Sequence, residues 1–225
     1  MIQLERVTKR YKTLEGSKII LDDVSAVFPT GKRIGILGSN GAGKSTLIRM
    51  VAGIESPTSG RVRRRGRVSF PLGFGGTFHP KLSGRENVVF LARLYGADER
   101  AVVRYVQEFA ELGQYMAMPV ETYSSGMRAK LAFGTCLAID FDVFLIDEVI
   151  AVGDARFQRR CQQEFEARTN RADLIMVSHS LSTIRSYCDV GAVLGRGHLE
   201  VCLDLDRAID AHVASMNQPN RDHAQ

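Results

Sequence analysis

A run of glycines between Gly38 and Ser45 has the composition and spacing of a phosphate-binding loop. Residues 38–45 read Gly-Ser-Asn-Gly-Ala-Gly-Lys-Ser and match the pattern G-x-x-x-x-G-K-[ST] between a predicted strand and a predicted helix. Glycine lets backbone amides curl around a phosphate, and a helix N-terminus adds partial positive charge. Lys44 is expected to reach the β- and γ-phosphates, and the Ser45 hydroxyl to ligate Mg²⁺. The alternative, a glycine turn that binds nothing, leaves this context unexplained.

The predicted nucleotide contacts of this segment, which we call the phosphate loop, come from consecutive residues. They are Gly38, Ser39, Asn40, Gly41, Ala42, Gly43, Lys44, Ser45 and Thr46. Lys44 is also predicted to be catalytic, because its charge would act on the phosphoryl group that is transferred.

Two neighbouring carboxylates, Asp147 and Glu148, end an apolar strand about 100 residues further on. One acid of this acid pair can hold the water shell of a metal while the next polarises an attacking water. Two solvated acids at a strand end are the alternative, which the phosphate loop makes less attractive. His179 follows the next predicted strand, where an imidazole could donate a hydrogen bond to the γ-phosphate, although a lone histidine is usually structural.

The elements that must position these residues alternate between strand and helix. Buried strands are predicted at 33–38 and 142–147, and helices follow them at 44–53 and 154–170. This alternation predicts an α/β fold with a parallel central sheet. Only helices are predicted between 84 and 140, which indicates an inserted helical subdomain. Further strands are predicted at 2–7, 19–28, 174–178, 190–194 and 198–203, with a hairpin over 61–70 and a last helix over 206–216.

The composition excludes several classes of protein. The chain has 225 residues, 44% hydrophobic and 24% charged, which argues against disorder and collagen-like repeats. Its longest mainly apolar run, 131–139, is shorter than the about 20 residues that span a bilayer, and no signal peptide is recognisable. The four cysteines lack zinc-site or disulfide-framework spacing. We therefore expect a cytoplasmic protein with free thiols.

The charge does not identify a partner. A net charge of +5 is compatible with nucleic acid, a membrane surface or a phosphate-rich ligand. Five arginines fall within residues 61–67. A solvated hairpin is the favoured interpretation of this run, and binding to nucleic acid or lipid headgroups is the alternative.

The segment at residues 123–127 separates the classes of phosphate-loop protein that remain. It reads Tyr-Ser-Ser-Gly-Met at the head of a predicted helix and resembles the signature sequence of ABC-type ATPases, usually Leu-Ser-Gly-Gly-Gln. Ser124 and Gly126 agree with that sequence, and the other three positions depart from it. Taken alone, the segment is only a helix cap. The resemblance implies that Ser124, Ser125 and Gly126, here called the signature segment, complete the ATP site of a second subunit.

Other markers of this family follow in order. Tyr11 lies where ABC ATPases place an aromatic ring that stacks on adenine, and Asp154 lies at the acidic end of the family's D-loop. The resemblance implies that both residues contribute to ATP binding. The resemblance covers about residues 1–205. It implies a RecA-like P-loop NTPase fold with an antiparallel β subdomain, forming one nucleotide-binding domain over 1–216 before a polar tail. It also implies ATP and Mg²⁺ as cofactors, with Mg²⁺ held by Ser45 and Asp147.

The chain is more specifically similar to the ATPase subunits of polysaccharide exporters. The similarity is carried by four segments together: Phe-Pro-Leu-Gly-Phe-Gly-Gly at 70–76, Leu-Ser-Gly-Arg-Glu-Asn at 82–87, Tyr-Ser-Ser-Gly-Met-Arg at 123–128 and the residues 147–157 that begin with the acid pair. Several O-antigen members carry an added carbohydrate-binding domain, for which this chain has no room, so the compact capsular polysaccharide export ATPases match better. The resemblance implies a homodimer and an integral membrane permease that binds near 71–87, at the cytoplasmic face of the inner membrane.

Other classes remain as alternatives. The ATPase of an O-antigen or teichoic-acid exporter is the first, and a soluble ABC ATPase acting on DNA or ribosomes is the second. Chromosome-type members insert long coiled coils between the phosphate loop and the signature, whereas only 80 positions separate Lys44 from Ser124. Ribosome-acting members carry two ATPase units in one chain. A kinase or GTPase would leave the signature segment without a role, and we expect no nucleic-acid partner.

One departure from the family concerns the metal. ABC ATPases usually place a glutamine in the loop before the helical subdomain, and this sequence has none between Gln3 and Gln107. Counting back from 82–86, the position falls on His79. A neutral imidazole nitrogen can accept a hydrogen bond from metal-bound water, which makes His79 a candidate for the Mg²⁺ shell. A solvent-facing loop residue is an equally good interpretation.

Overall fold

The computed structural model describes residues 1–14, 16–72, 76–148 and 153–217. Within them the chain divides into two compact units. The first unit comprises residues 1–65 and the chain from Asp173 onward, and the second comprises residues 66–172. No helix in these ranges is both long and apolar enough to cross a membrane.

The elements follow one another as strand and helix in most of the chain. The strands are β1 (Ile2–Thr13), β2 (Gly16–Phe28), β3 (Arg33–Leu37), β4 (Ser59–Arg64), β5 (Val143–Asp147), β6 (Asp173–Val177), β7 (Val190–Gly195) and β8 (His198–Cys202). The helices are α1 (Lys44–Ala52), α2 (Gly84–Leu94), α3 (Glu99–Ala110), α4 (Ser125–Ala138), α5 (Ala155–Thr169), α6 (Leu181–Tyr187) and α7 (Leu205–Asn217). Short 3₁₀ turns lie at Gly113–Ala117 and Val120–Thr122.

The first unit contains two sheets. One is antiparallel, in the order β2-β1-β4. The other has the order β6-β3-β7-β8, in which β6, β3 and β7 run parallel and β8 runs antiparallel. β3 lies between β6 and β7. Its apolar residues Ile34, Ile36 and Leu37 are buried, as expected for a parallel strand covered on both faces. The predicted combination of a parallel-sheet core with an antiparallel β subdomain is confirmed.

The second unit is built around β5 and three helices with aromatic side chains. Phe109 on α3, Phe133 on α4 and Phe157 and Phe165 on α5 form ring contacts with centroid separations of 5.3–6.3 Å, and Phe144 of β5 joins them. Such pairs add to the free energy gained by apolar burial. The stretch 84–138 holds only helices and 3₁₀ turns, while its status as an inserted subdomain stays a prediction.

The predicted hairpin over residues 61–70 is wrong. β4 pairs with β1 in antiparallel register, with Ile2 opposite Arg64. Beyond Gly66 the chain runs parallel to β5, with Val68 bridging to Val143 and Leu72 to Ile146. The alternation of apolar residues identified extended chain correctly, but it carries no information about which strand is the partner.

Candidate functional site

The phosphate loop leaves the end of β3 and enters α1 through a glycine-dependent path. Gly41 and Gly43 have φ angles of 77° and 104°, in the left-handed region that favours glycine. A Cβ atom on Gly43 would collide with the side chain of Ile20, and one on Gly38 would collide with the backbone carbonyl of Leu194. The chain itself therefore requires glycine at these positions.

Lys44 lies at the start of α1 with its ammonium folded back over the loop. The side chain is buried, and Nζ donates hydrogen bonds to the carbonyl oxygens of Gly38 at 2.7 Å and Ser39 at 3.0 Å. Ser45 follows in the first helical turn and is half-buried. This geometry places a point charge and a hydroxyl beside the N-terminal amides of α1, which is the arrangement that binds a polyphosphate.

Tyr11 of β1 lies next to the phosphate loop. It is opposite Lys18 of β2 in the sheet register, and the Lys18 ammonium lies near Gly41. The Tyr11 hydroxyl lies 3.3 Å from Thr46 Oγ1 and donates a hydrogen bond to Glu55. The structure thus brings together the predicted aromatic residue and the last predicted residue of the loop.

His179 belongs to the same edge of the first unit as the phosphate loop. β3 and β6 are parallel, and Ile36 is opposite Val177. Gly38 and His179 each come two positions after these partners, at the carboxyl ends of the two strands. The His179 side chain is exposed. In an open α/β sheet this is the edge at which ligands bind.

The acid pair lies in the second unit, at the carboxyl end of β5. Asp147 is half-buried and Glu148 is exposed. Glu148 has a φ angle of 71°, a left-handed conformation that costs a residue with a side chain of the order of 1 kcal/mol or more. Strained non-glycine residues of this kind cluster at functional sites, which agrees with the chemical role predicted for Glu148.

Leu72 lies beside the acid pair. Leu72 N donates to Leu145 O at 3.0 Å, and Asp147 N donates to Leu72 O at 2.8 Å. Further along, the backbone of His79 is held by the buried Asn87 of α2: His79 N donates to Asn87 Oδ1 at 2.8 Å, and Asn87 Nδ2 donates to His79 O at 3.1 Å. The His79 side chain is exposed. Its role toward Mg²⁺ stays a prediction.

The signature segment lies at the exposed N-terminus of α4 in the second unit. Ser124 is the N-cap, with Oγ accepting from Met127 N at 3.2 Å. Gly126 is helical, without a left-handed φ angle, and among the described residues a Cβ atom on it would meet only Ser124 Oγ, at 3.9 Å. Nothing in the described chain therefore requires glycine at 126. The missing side chain leaves the surface at Gly126 uncovered in the described chain.

The departure at Tyr123 has a packing explanation. Where the family usually has leucine, the Tyr123 ring is buried, and its hydroxyl donates to Tyr115 O at 2.5 Å. Beside the signature segment lies a cavity of about 470 Å³ whose walls include Gln114, Tyr115 and Lys130. The signature segment therefore forms one side of a concave surface.

Asp154 caps α5. Its Oδ1 accepts a hydrogen bond from Phe157 N at 2.9 Å, and this bond, opposed by slight desolvation, lowers the pKa of the carboxyl. Lys130 of α4 lies near Gly153 and over the Phe157 ring, with Nζ 4.4 Å from its centroid. The start of α5 is thus joined to the helix that carries the signature segment. A direct role of Asp154 in ATP binding stays a prediction.

The oxygen ligands suit Mg²⁺ more than a transition metal. No group of three His, Cys, Asp or Glu side chains in the described part of the chain could hold an ion alone. Ser45 in the first unit and Asp147 in the second each offer an oxygen, the ligand atom that Mg²⁺ prefers. Binding of one ion by both residues stays a prediction.

Sequence reasoning missed several residues that shape the site. Glu55 and Lys18 contact the surroundings of Tyr11 and the loop, and Asn87 fixes the loop around His79. Arg64, from the run expected to be solvated, donates from Nε to Val51 O at 2.7 Å and so caps the C-terminus of α1. Only Asn87 had a recognisable signal, a polar residue on the apolar face of a predicted helix.

Known proteins resemble this chain in sequence and in fold. The family model described as ABC transporter matches residues 21–151. The capsule polysaccharide export ATP-binding protein CtrD of Neisseria meningitidis serogroup B is 49% identical, over 93% of this chain and 97% of that protein. The polysialic acid transport ATP-binding protein KpsT of Escherichia coli is 46% identical, over 88% of this chain and 90% of that protein. A dimeric ATP-binding cassette solved with ADP and phosphate superposes with a TM-score of 0.72 at 23% identity, over 90% of this chain and 99% of that one.

Proposed function

The chain belongs to the ABC transporter family, and from this premise we propose that it is the ATP-hydrolysing subunit of an exporter of capsular polysaccharide. The phosphate loop carries the proposal, because its glycine geometry and the buried Lys44 ammonium make a polyphosphate site in the first unit. Relatives that match nine tenths of the chain and are named for capsule or polysialic acid transport support the choice of cargo. An O-antigen or teichoic-acid exporter is the second candidate.

In the proposed reaction each side chain has one task. Lys44 holds the β- and γ-phosphates, and Tyr11 stacks on the adenine. Glu148 orients and polarises the water that attacks the γ-phosphorus in line with the leaving oxygen, and His179 donates a hydrogen bond to a γ-phosphate oxygen. Ser45 and Asp147 would hold Mg²⁺, which would supply positive charge to the phosphate oxygens, and His79 would contact the water shell of the ion.

A second copy of the chain completes the site in this proposal. The signature segment is exposed, and its Gly126 is open to an approaching group. A Ser hydroxyl, a helix N-terminus and an uncovered backbone are suited to bind the γ-phosphate of ATP held by a partner. Two chains therefore bind two ATP molecules head to tail, and hydrolysis separates them.

The partner in the membrane is an integral permease of the exporter. Residues 71–87 are the proposed contact, because Leu72 lies beside the acid pair and residues 84–87 belong to α2. A permease bound there would sense whether ATP is present. The chain accordingly acts as a peripheral protein at the cytoplasmic face of the inner membrane.

The test uses Glu148→Gln, which should bind ATP and hydrolyse it about 10²–10³-fold more slowly. Because the ATP-bound dimer then persists, light scattering should give twice the monomer mass with Mg-ATP and the monomer mass without it. The double variant Lys44→Ala/Glu148→Gln is the control and should stay monomeric. A Glu148→Gln protein that binds ATP and remains monomeric would contradict the shared site.

The cargo is tested in cells that lack the endogenous copy of the chain. Expression of the wild-type chain should restore surface capsule, and Glu148→Gln should not. Restoration of O-antigen or teichoic acid with no effect on capsule would replace the first candidate by the second.

A further inference from the structure

Five polar side chains form a cluster between β1 and α1, and three of them, Lys9, Arg49 and Glu55, have no task in the proposed reaction. Glu55, in the turn after α1, is its centre. Its Oε1 accepts from Lys9 Nζ at 2.7 Å and from the Tyr11 hydroxyl, and its Oε2 accepts from Arg49 Nε at 2.9 Å. Arg49 Nη2 donates in turn to Thr46 Oγ1 at 3.1 Å. The cluster thus connects a residue of the phosphate loop with the predicted adenine platform.

The cluster is sheltered and electrostatically tight. The side chains of Lys9, Arg49 and Glu55 are 12%, 25% and 20% exposed, so they are not surface ion pairs of the weak kind. Desolvation alone would raise the pKa of Glu55, but hydrogen bonds from Lys9, Tyr11 and Arg49 outweigh it and bring the pKa to about 2. Glu55 is therefore ionised at neutral pH and holds two cations and one hydroxyl.

The geometry fixes the plane of the Tyr11 ring. A tyrosine ring has two rotatable bonds, and anchoring its hydroxyl at the far end removes most of that freedom. Lys9 Nζ lies 4.9 Å from the ring centroid, within cation–π distance, and therefore covers one face. A base stacked on Tyr11 uses the opposite face, at a height above the loop set by the contact between the hydroxyl and Thr46, at 3.3 Å.

We propose that Glu55 is a positioning residue for the nucleobase, which holds the Tyr11 ring at a fixed place beside the phosphate loop so that base stacking and phosphate binding occur together. This inference rests on the proposed function. The inference adds to the proposed function a residue, Glu55, that touches neither the base nor the phosphates. The hydrogen bond between Glu55 and Tyr11 then explains why an adenine nucleotide binds more tightly than a polyphosphate without a base.

Two other roles of Glu55 predict different results. If Glu55 only stabilised α1, its loss would weaken binding of every phosphate ligand. If it acted only through charge, its loss would raise the net charge of Lys9, Arg49 and residue 55 from +1 to +2 and tighten the binding of every anion. The positioning role alone predicts weaker binding of ATP with no weakening for a ligand that has no base.

The experiment measures dissociation constants of Mg-ATP and Mg-tripolyphosphate by titration calorimetry. Glu55→Gln should bind ATP about fivefold to tenfold more weakly than wild type, because a charge-assisted hydrogen bond is lost. Its affinity for tripolyphosphate should be unchanged or slightly higher. Asp22→Asn is the matched control, since it removes a half-exposed ion pair, at 3.1 Å, with Arg10, the residue before Tyr11 on β1, and leaves the hydrogen bond between Glu55 and Tyr11 in place. It should change neither constant.

A double-mutant cycle tests whether Glu55 acts through Tyr11. Tyr11→Phe keeps the ring and removes the tether, so it should itself weaken ATP about threefold to tenfold while sparing tripolyphosphate. In the Tyr11→Phe background, Glu55→Gln should have no further effect on ATP. Tyr11→Phe also serves alone if Glu55→Gln does not fold.

Four outcomes overturn the inference. Equal weakening of both ligands by Glu55→Gln assigns Glu55 to the stability of α1, and additive effects in the cycle show that it does not act through Tyr11. If the ratio of the dissociation constants of Mg-ATP and Mg-tripolyphosphate is the same in Tyr11→Phe as in wild type, the Tyr11 hydroxyl does not position the base. Failure of wild-type protein to bind ATP at all would overturn the proposed function as well, and it is distinguished from the other outcomes because it appears without any substitution.

Discussion

The phosphate loop and the signature segment both place glycine next to a helix N-terminus, but they need it for different reasons. In the phosphate loop, Gly43 has a left-handed φ angle and no space for a Cβ atom beside Ile20. In the signature segment, Gly126 is helical, and a Cβ atom on it would make only an ordinary van der Waals contact with the described residues. The first glycine is required by the fold of its own unit. The described residues do not require the second, and the proposed site shared between two chains would give it a role.

This difference teaches how to recognise half of a shared site. A binding site that is complete within one chain shows backbone and packing constraints, because the chain must hold the site open by itself. A half-site shows no such constraint, and its small residues lie exposed at the surface. The contrast between Gly43 and Gly126 can be tested by substitutions that separate folding from hydrolysis.

The largest expected effect comes from Ser124→Arg, which tests the open side of the contrast. A long cation at the signature segment should block the γ-phosphate of a partner and reduce ATP hydrolysis about 100-fold, while the affinity of the monomer for ATP stays within about twofold. Mixing Ser124→Arg with Lys44→Ala protein should recover activity, because each heterodimer regains one intact composite site. Steady-state phosphate release measures both effects.

The control for this substitution separates capping from catalysis. Asp98 caps α3 through Ala101 N at 2.8 Å, much as Ser124 caps α4. Asp98→Arg should lose the stability of one helix cap, about 1 kcal/mol, and keep hydrolysis. Absence of any recovered activity in the mixture would contradict sites shared between chains.

An intermediate effect is expected when alanine replaces each of the two contrasted glycines. Gly43→Ala combines a left-handed conformation with a collision, so it should lower the free energy of unfolding by about 1–3 kcal/mol. Gly126→Ala should leave stability unchanged or raise it by up to about 1 kcal/mol, because alanine is the better helix former, yet it should slow hydrolysis. Urea unfolding and phosphate release, measured on the same preparations, give the two quantities.

A third glycine calibrates this pair. Gly96 has a φ angle of 65°, and no atom of the described residues lies within 4 Å of the place that a Cβ atom would take there. Gly96→Ala therefore reports the conformational cost alone, and its loss of stability should be smaller than that of Gly43→Ala. Equal losses of stability in Gly43→Ala and Gly126→Ala would contradict the distinction between the phosphate loop and the signature segment.

The smallest expected effect concerns acid stability on the side of the phosphate loop. The folded-state pKa of Glu55, about 2, lies below its ordinary value of 4.5. The ionised carboxyl therefore contributes stability above about pH 4.5 that is lost as the pH falls toward 2. The difference in free energy of unfolding between wild type and Glu55→Gln should shrink from about pH 6 to about pH 3. Urea titrations at these pH values measure it, and a constant difference would contradict the low pKa.

The parts of the site that sequence could predict are those set by local backbone chemistry. The phosphate loop was recognisable because the spacing of Gly38, Gly43 and Lys44 follows from the conformation that wraps a phosphate. The acid pair was recognisable because acids after an apolar strand lie at a sheet edge. The α/β class followed from the alternation of elements and is confirmed by the parallel sheet around β3.

The parts that escaped prediction depend on contacts between distant residues. Glu55 follows a helix in a polar turn, and nothing in its neighbourhood announces a hydrogen bond to Tyr11, 44 positions away. Arg64 cannot be distinguished from the other four arginines of residues 61–67 in the sequence, because its contact with the C-terminus of α1 is tertiary. The false hairpin at 61–70 has the same origin, because strand pairing with β1 and β5 is decided by tertiary packing.

The left-handed backbone conformation of Glu148 implies a trade-off between the stability of the fold and ATP hydrolysis at this position. Glycine or asparagine adopts this conformation at lower cost than glutamate, so either residue at 148 would relax the backbone while removing the carboxylate that we propose polarises water. Random mutagenesis followed by selection for heat resistance alone should therefore enrich variants at 148 that bind ATP without hydrolysing it. The working enzyme is kept by selection for turnover, at a residue where the fold by itself would prefer an inert side chain.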